Sequence, residues 1–216
     1  MIIINTIKRL PSHLFLSLGI FLFVFVFPIM DKSALFDFMG PFSYSVITLS
    51  ILAIIENKKQ SRIKWLHILI IISVILIWVM YFTHLIFFSI LSFTFSILVF
   101  ISASIIMITQ IVESKEVNTK VIIEAINGYF LIGVMFTLTN TLLWTFNHES
   151  IAIKTPEIVN FVYYSFITIS TIGYGDIAPQ SDIAKLASVL FGISGQLYLT
   201  IIMALIIGKY LNKKNN

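Results

Sequence analysis

Long apolar stretches, separated by short polar segments that carry most of the charge, set the pattern of this chain. A helix needs roughly 20 mostly apolar residues to cross about 30 Å of hydrocarbon. Runs that meet this need predict spans over residues 12–30, 42–55, 65–81, 86–112, 121–146 and 183–210. The second run is short, so its helix is expected to begin earlier, near Leu35. A seventh apolar stretch, residues 158–172, is too short to cross and is broken by polar residues and glycine.

Two local signals compete with this reading. Phe21, Phe23, Phe25 and Phe27 alternate as in a strand, yet Leu22, Val24 and Val26 between them are equally apolar. With no polar face the period of two carries no information. A lone strand in lipid would also leave its backbone groups unpaired, so a helix is expected. Lys8 and Arg9 ahead of the first run resemble the start of a signal peptide. Pro28-Ile29-Met30 offers no small-residue cleavage site, which argues against one.

Composition agrees. Of 216 residues 58% are hydrophobic and only 11% charged, too little charged surface for a water-soluble particle. Disorder fails on the same numbers. Zero cysteine removes a disulfide scaffold, a thiolate metal site and a cysteine nucleophile. The expected fold class is therefore an all-α membrane protein of six transmembrane helices, with a re-entrant segment between the fifth and sixth.

The net charge of +4 does not point to nucleic acid, because the basic residues form short clusters beside apolar runs. With both termini in the cytoplasm, six crossings put eleven of the fourteen basic residues inside: Lys8, Arg9, Lys58, Lys59, Arg62, Lys64, Lys115, Lys120, Lys209, Lys213 and Lys214. Only Lys32, Lys154 and Lys185 fall outside. Four acidic residues lie inside and six outside, so the two sides carry +7 and −3. Glu157, Asp176 and Asp182 are among the outer six. Trp65 is expected at the inner face, and Trp78 and Trp144 near outer ends.

Between the fifth and sixth runs stands FVYYSFITISTIGYGDIAP, residues 161–179. A potassium ion in a narrow pore exchanges its water shell for protein oxygens, which a ring of backbone carbonyls can supply. Aiming successive carbonyls at one axis demands a backbone that alternates between conformations ordinary residues avoid. Gly173 and Gly175 permit the positive φ this needs. The Thr171 hydroxyl can add one further ring of oxygens. Residues 157–170 are expected to form a short re-entrant helix, with Thr155 as N-cap and Pro156 and Glu157 at its start. Its C-terminal dipole would favour a cation. A single such strip cannot encircle an ion, so four copies around an axis, a homotetramer, are expected.

At these residues the chain resembles the potassium channels of the pore-loop superfamily. The resemblance covers residues 122–210 and centres on Thr168 to Asp176, followed by Pro179. It implies a four-helix domain, 1–112, and a pore domain, 113–216, comprising outer helix, pore helix, filter and inner helix. It implies that Thr171, Ile172, Gly173 and Tyr174 present carbonyls to K+, with Gly175 completing the filter. Asp176 would hold the filter by bonding to the pore helix, where Tyr163 and Tyr164 stand in place of the tryptophans common in relatives. Thr168 and Ser170 would support it, the latter replacing a commoner threonine. Ile167 occupies a position where some members carry a carboxylic acid, so a buried carboxyl pair is not expected. Gly195, with Gly192 before it, matches the spacing of an inner-helix hinge; close packing is the plainer reading of both.

Six-span relatives often carry arginines in the fourth span. Residues 86–112 contain no basic residue. One charge crossing 100 mV supplies only about 2.3 kcal/mol, so strong voltage gating is not expected. Ser50, Ser73, Ser89, Ser92, Ser96, Ser102 and Ser104 in the first four spans read as small-residue packing or backbone bonding, with a lipid or ligand pocket as the alternative. Eight residues after Gly208 are too few for a cytoplasmic regulatory domain, and no phosphate loop, zinc or calcium motif is present. Glu124 reads as interfacial, and His148 and Glu149 as solvated loop residues.

These features lead to a passive, potassium-selective channel of the plasma membrane. No covalent chemistry and no cofactor are expected, K+ being the permeant ion; the expected partners are its own copies and lipid. Three rivals are a weakly selective cation channel, an ion-coupled transporter, and a regulatory subunit with a dead pore. Tyr174 argues against the first. One interrupted segment, with no charge centred in a span, argues against the second.

Overall fold

The computed structural model describes residues 12–30, 38–55, 64–114 and 116–214. Among the described residues every extended element is a helix, and β pairing is confined to an isolated antiparallel bridge between Ile151 and Pro179. In chain order these are α1 (Ser12–Phe21), a π-helical turn (Leu22–Val26), α2 (Phe27–Met30), α3 (Met39–Ile55), α4 (Lys64–Thr83), α5 (Ile86–Glu113), α6 (Thr119–Phe146), α7 (Ile158–Ile169) and α8 (Asp182–Lys214).

Among the described residues, four helical segments are long and apolar enough to cross a bilayer: Trp65–Thr83, Ile86–Glu113, Thr119–Phe146 and Asp182–Leu211. The segments His13–Ile29 and Gly40–Leu52 are apolar but shorter. The alternating phenylalanines are helical, and Phe21 packs on Phe25 one turn on, with ring centroids 5.3 Å apart. The π-helical turn among them has no counterpart in the hydropathy pattern. Leu35, where the second helix was expected to start, lies outside the described residues, as do Lys8, Arg9, Lys32, Lys58, Lys59, Arg62 and Lys115.

α4 and α5 meet in a two-residue turn. His84 takes φ +52° and donates its backbone N–H to the Met80 carbonyl at 2.9 Å, closing α4 in the left-handed conformation that ends many helices. The pair therefore lies antiparallel, packed side by side.

α6 is the hub. It packs against α1 and α5 on one side and against α7 and α8 on the other, and 13 of its 28 residues are buried. One apolar cluster joins Leu16, Tyr44, Ile70 and Phe100 of the first helices to Leu131, Val134 and Leu138 of α6. A second joins Ile132 and Phe136 of α6 to Phe161, Ile169, Phe191 and Tyr198. α8 contrasts with α6: Leu186, Val189, Leu190, Ile193 and Leu197 are all more than half exposed, an apolar face suited to lipid or to another protein surface.

The serines of the first helices mostly bond back to their own helix. Ser50, Ser89, Ser96 and Ser102 each donate to the carbonyl four residues earlier. Ser73 instead meets the Tyr44 hydroxyl, a buried bond tying α3 to α4. Trp78 ties the same two helices through its indole N–H, 3.1 Å from Ser45 Oγ, so it is a packing residue more than a lipid anchor. Trp65 is half exposed.

Candidate functional site: the re-entrant loop

α7 and the strip that follows it sit between α6 and α8. The helix is shorter at its start than expected. Its N-cap is Glu157, which makes no side-chain capping bond, so Thr155 is not the cap. Thr155 instead accepts from Asn160 Nδ2, at 2.8 Å through its carbonyl and 3.1 Å through its hydroxyl. Pro156 lies just outside the helix.

Glycine notches let α7 settle. A Cβ at Gly133 of α6 would collide with the Phe166 ring, so the absent side chain is the space that ring occupies. Asn140 of α6, fully buried, donates from Nδ2 to Ser165 Oγ at 3.0 Å and fixes the rotation of α7. Gly195 of α8 makes a second notch. A Cβ there would lie 2.8 Å from the Ile169 carbonyl oxygen and 3.0 Å from Ile169 Cβ. Gly195 thus has a packing reason to be glycine, whereas Gly192 has only Thr168 Cγ2 at 4.0 Å.

The end of α7 is held by its own side chains. Thr168 Oγ1 donates to the Tyr164 carbonyl at 2.7 Å, and Ser170 Oγ to the Phe166 carbonyl at 2.6 Å. The buried Ile167 offers its carbonyl to the Gly173 N–H at 3.1 Å, so the strip folds back against the helix terminus. Thr171, Gly173 and Gly175 have φ of +61°, +57° and +79°, while Ile172 and Tyr174 between them stay at negative φ. At the two glycines this costs little. At Thr171, a β-branched residue, positive φ is a strained outlier, of the kind that collects at functional sites. Residues 171–176 are exposed, and no atom would meet a Cβ at either glycine within 4 Å.

The two tyrosines divide their work. Tyr163 donates its hydroxyl to Asp176 Oδ2 at 2.8 Å, linking helix to strip across thirteen residues. Tyr164 bonds Ser188 Oγ at 2.6 Å instead, linking α7 to α8. The bond to the Asp176 carboxylate, more than any other cause, raises the Tyr163 hydroxyl above its ordinary pKa near 10. Beyond the strip, the chain returns through Ala152 N–H to Ala178 O at 2.9 Å and Gln180 N–H to Ser150 O at 2.8 Å. Ser181 Oγ accepts from the Ala184 N–H at 3.2 Å, capping the start of α8. A recess of about 800 Å3 lies beside these segments, lined in part by Glu149, Lys154, Asn160, Tyr163 and Asp176.

One expectation changes. Glu124 is not at an open interface: it is 3% exposed, with the Lys120 ammonium 3.7 Å from Oε1. One turn on, Asn127 donates to the His13 carbonyl at 3.0 Å and accepts from Ser17 Oγ at 2.8 Å, so this end of α6 is turned toward α1. His148 is exposed as expected, its ring 4.1 Å from Trp144 between centroids. Asn140, Ser165, Ser188, Gly133 and Tyr198 carried no signal in hydropathy or motif. Buried polar residues within otherwise apolar spans were the available hint.

Residues 129–212 match a family model described as "Ion channel". Three curated relatives come from Arabidopsis thaliana. Two-pore potassium channel 5 is 33% identical over 93 residues, 43% of this chain and 22% of its own length. Two-pore potassium channel 2 is 29% identical over 42% of this chain and 21% of its own length, and two-pore potassium channel 3 is 28% identical over 43% and 20%. The match thus spans about a fifth of each of these relatives. No solved structure matches the chain. The part of the chain that carries this loop and the long apolar helices on either side of it is thus similar to an ion-channel family model and to segments of three named potassium channels.

Proposed function

We propose that the chain is one subunit of a homotetrameric, potassium-selective channel in the plasma membrane, conducting passively and without strong voltage gating. The observation that carries this reading is the alternation of φ sign along Thr171 to Gly175, between a re-entrant helix and a long apolar helix. Thr171, Ile172, Gly173 and Tyr174 would offer carbonyls to K+, and four copies would close the ring that one strip cannot make. The exposed apolar face of α8 supports such an assembly. In it residues 1–112 form a peripheral four-span domain and residues 113–216 the pore, with both termini cytoplasmic. Weak voltage response follows from the absence of Lys and Arg between Ile86 and Glu113.

The test is ion flux from purified protein in liposomes. The reversal potential should follow the K+ gradient against Na+, and equal permeability to the two ions would overturn the selectivity. Gly173→Val should abolish flux while a tetramer still assembles, because valine resists the positive φ. Flux unchanged in that variant would place the ion path elsewhere.

A further inference from the structure

Lys209 sits near the end of α8, fourteen residues beyond Gly195, about 21 Å along the helix. A cluster of basic residues at such an end is explained by membrane orientation alone, and then its ammonium should reach into water. It does not. Lys209 Nζ lies 2.6 Å from the Ile111 carbonyl, 2.9 Å from that of Val112 and 2.7 Å from that of Ser114, with Ser114 Oγ at 3.1 Å. These oxygens form the C-terminal end of α5.

The last carbonyls of a helix have no donor within the helix, and the terminus carries partial negative charge. The Ser114 N–H takes the Gln110 carbonyl at 3.0 Å, and Ser114 Oγ donates to the Ile111 carbonyl at 2.8 Å. The ammonium adds bonds to the Ile111, Val112 and Ser114 carbonyls and to Ser114 Oγ, sharing three protons among four acceptors. Beneath it, Leu205 and Ile206 of α8 belong to the same apolar cluster as the buried Ile111. The contact joins segments 95 to 98 residues apart, so no local turn imposes it.

We infer that Lys209 is a tether: seated on the carbonyl end of α5, it holds the far end of α8 outward and favours the conducting state. The direction rests on the pore reading above, in which α8 lines the axis and α5 lies outside it. A bond from the inner helix to the peripheral one then pulls away from the axis. Releasing it lets the helix ends close inward.

The full chain in liposomes tests this. Lys209→Met should lower steady-state K+ flux roughly tenfold, the scale of one lost charge-assisted bond. Lys209→Arg, which donates to the same carbonyls, should keep most of the flux. Flux at or above the wild-type level in Lys209→Met would overturn the proposal. A second measurement needs no conduction. The chain has no cysteine, so spin labels on cysteines at the exposed positions Val112 and Leu211 report without background. Their separation should be narrow with Lys209 present and should lengthen or broaden with Met in its place. An unchanged distance distribution would refute the tether even where the channel is active; a changed one would establish the contact, and the flux of Lys209→Met then decides its direction. Failure of the wild type to pass K+ would instead count against the channel reading.

Discussion

Tyr198 of α8 donates its hydroxyl to the carbonyl of Ala125 on α6 at 2.7 Å, lying over Gly128 where any side chain would collide with it. Bond and notch together lock the middle of α8 onto the hub helix. Gly128→Ala should therefore destabilise the fold by about 1–3 kcal/mol through overpacking. Tyr198→Phe should cost about 1 kcal/mol. The double variant should recover part of the Gly128→Ala loss, since the hydroxyl is the atom most crowded. Thermal denaturation in detergent reads all three; additive losses would show that the notch and the bond are independent.

Asn140 and Ser165 set the rotation of the re-entrant helix. Asn140→Ala leaves the buried Ser165 hydroxyl without its donor, an expected cost of about 1–3 kcal/mol. Because the end of α7 supports Thr171 to Gly175, selectivity should fall along with stability. The K+ to Na+ permeability ratio in liposomes checks this, and a variant that loses stability with full selectivity would limit Asn140 to packing.

Gly192 and Gly195 should separate by their surroundings. Gly195→Ala forces a methyl against the Ile169 carbonyl, so it should lower the melting temperature and disturb the strip behind it. Gly192→Ala meets only Thr168 Cγ2, at the ordinary contact distance of 4.0 Å, and gains helix propensity, about 1 kcal/mol in a soluble helix. If α8 bends at Gly192, that variant should lose flux with unchanged or improved stability. Full flux from Gly192→Ala would remove it as a hinge.

The Tyr163 bond has a defined pH window. Its hydroxyl is raised above the ordinary value near 10, so the neutral, donating form is favoured in the fold. The bond is complete below about 10 and is lost only as pH climbs through the raised value. Flux should thus be insensitive to this group from about pH 6 to 9. Tyr163→Phe should show reduced K+ selectivity across that range and should resemble wild type only in strong alkali. Equal selectivity of the two proteins at neutral pH would assign the strip's support to other contacts.

Hydropathy placed the helical runs well because a bilayer demands unbroken apolar length, and the glycines of the strip after α7 were legible because positive φ selects glycine. Gly173 and Gly175 announce themselves for that reason, and Thr171 does not, since its positive φ is imposed by the strip around it. The start of α7 was misjudged because Thr155 and Pro156 suit a helix N-terminus locally, yet Asn160 claims the Thr155 oxygens. Glu124 looked interfacial from its place in the run; only packing against neighbouring helices buries it. Gly128 and Gly133 carry no signal of their own, and Gly195 reads as a hinge or a packing residue, until Tyr198, Phe166 and Ile169 are seen to fill the space beside them. Lys209 was indistinguishable from an orientation signal, because its partners are backbone carbonyls, which leave no trace in side-chain identity.

The alternation of φ between Thr171 and Gly175 has a consequence in handedness. In a helix every residue turns the same way, so successive oxygens spiral. Here residues of positive φ alternate with residues of negative φ, so the turn does not accumulate as it does in a helix. The strip's oxygens can then recur as near-equivalent levels along a straight line. An ion moving past such a line meets a series of similar shallow wells instead of one deep trap, which makes fast passage compatible with close contact.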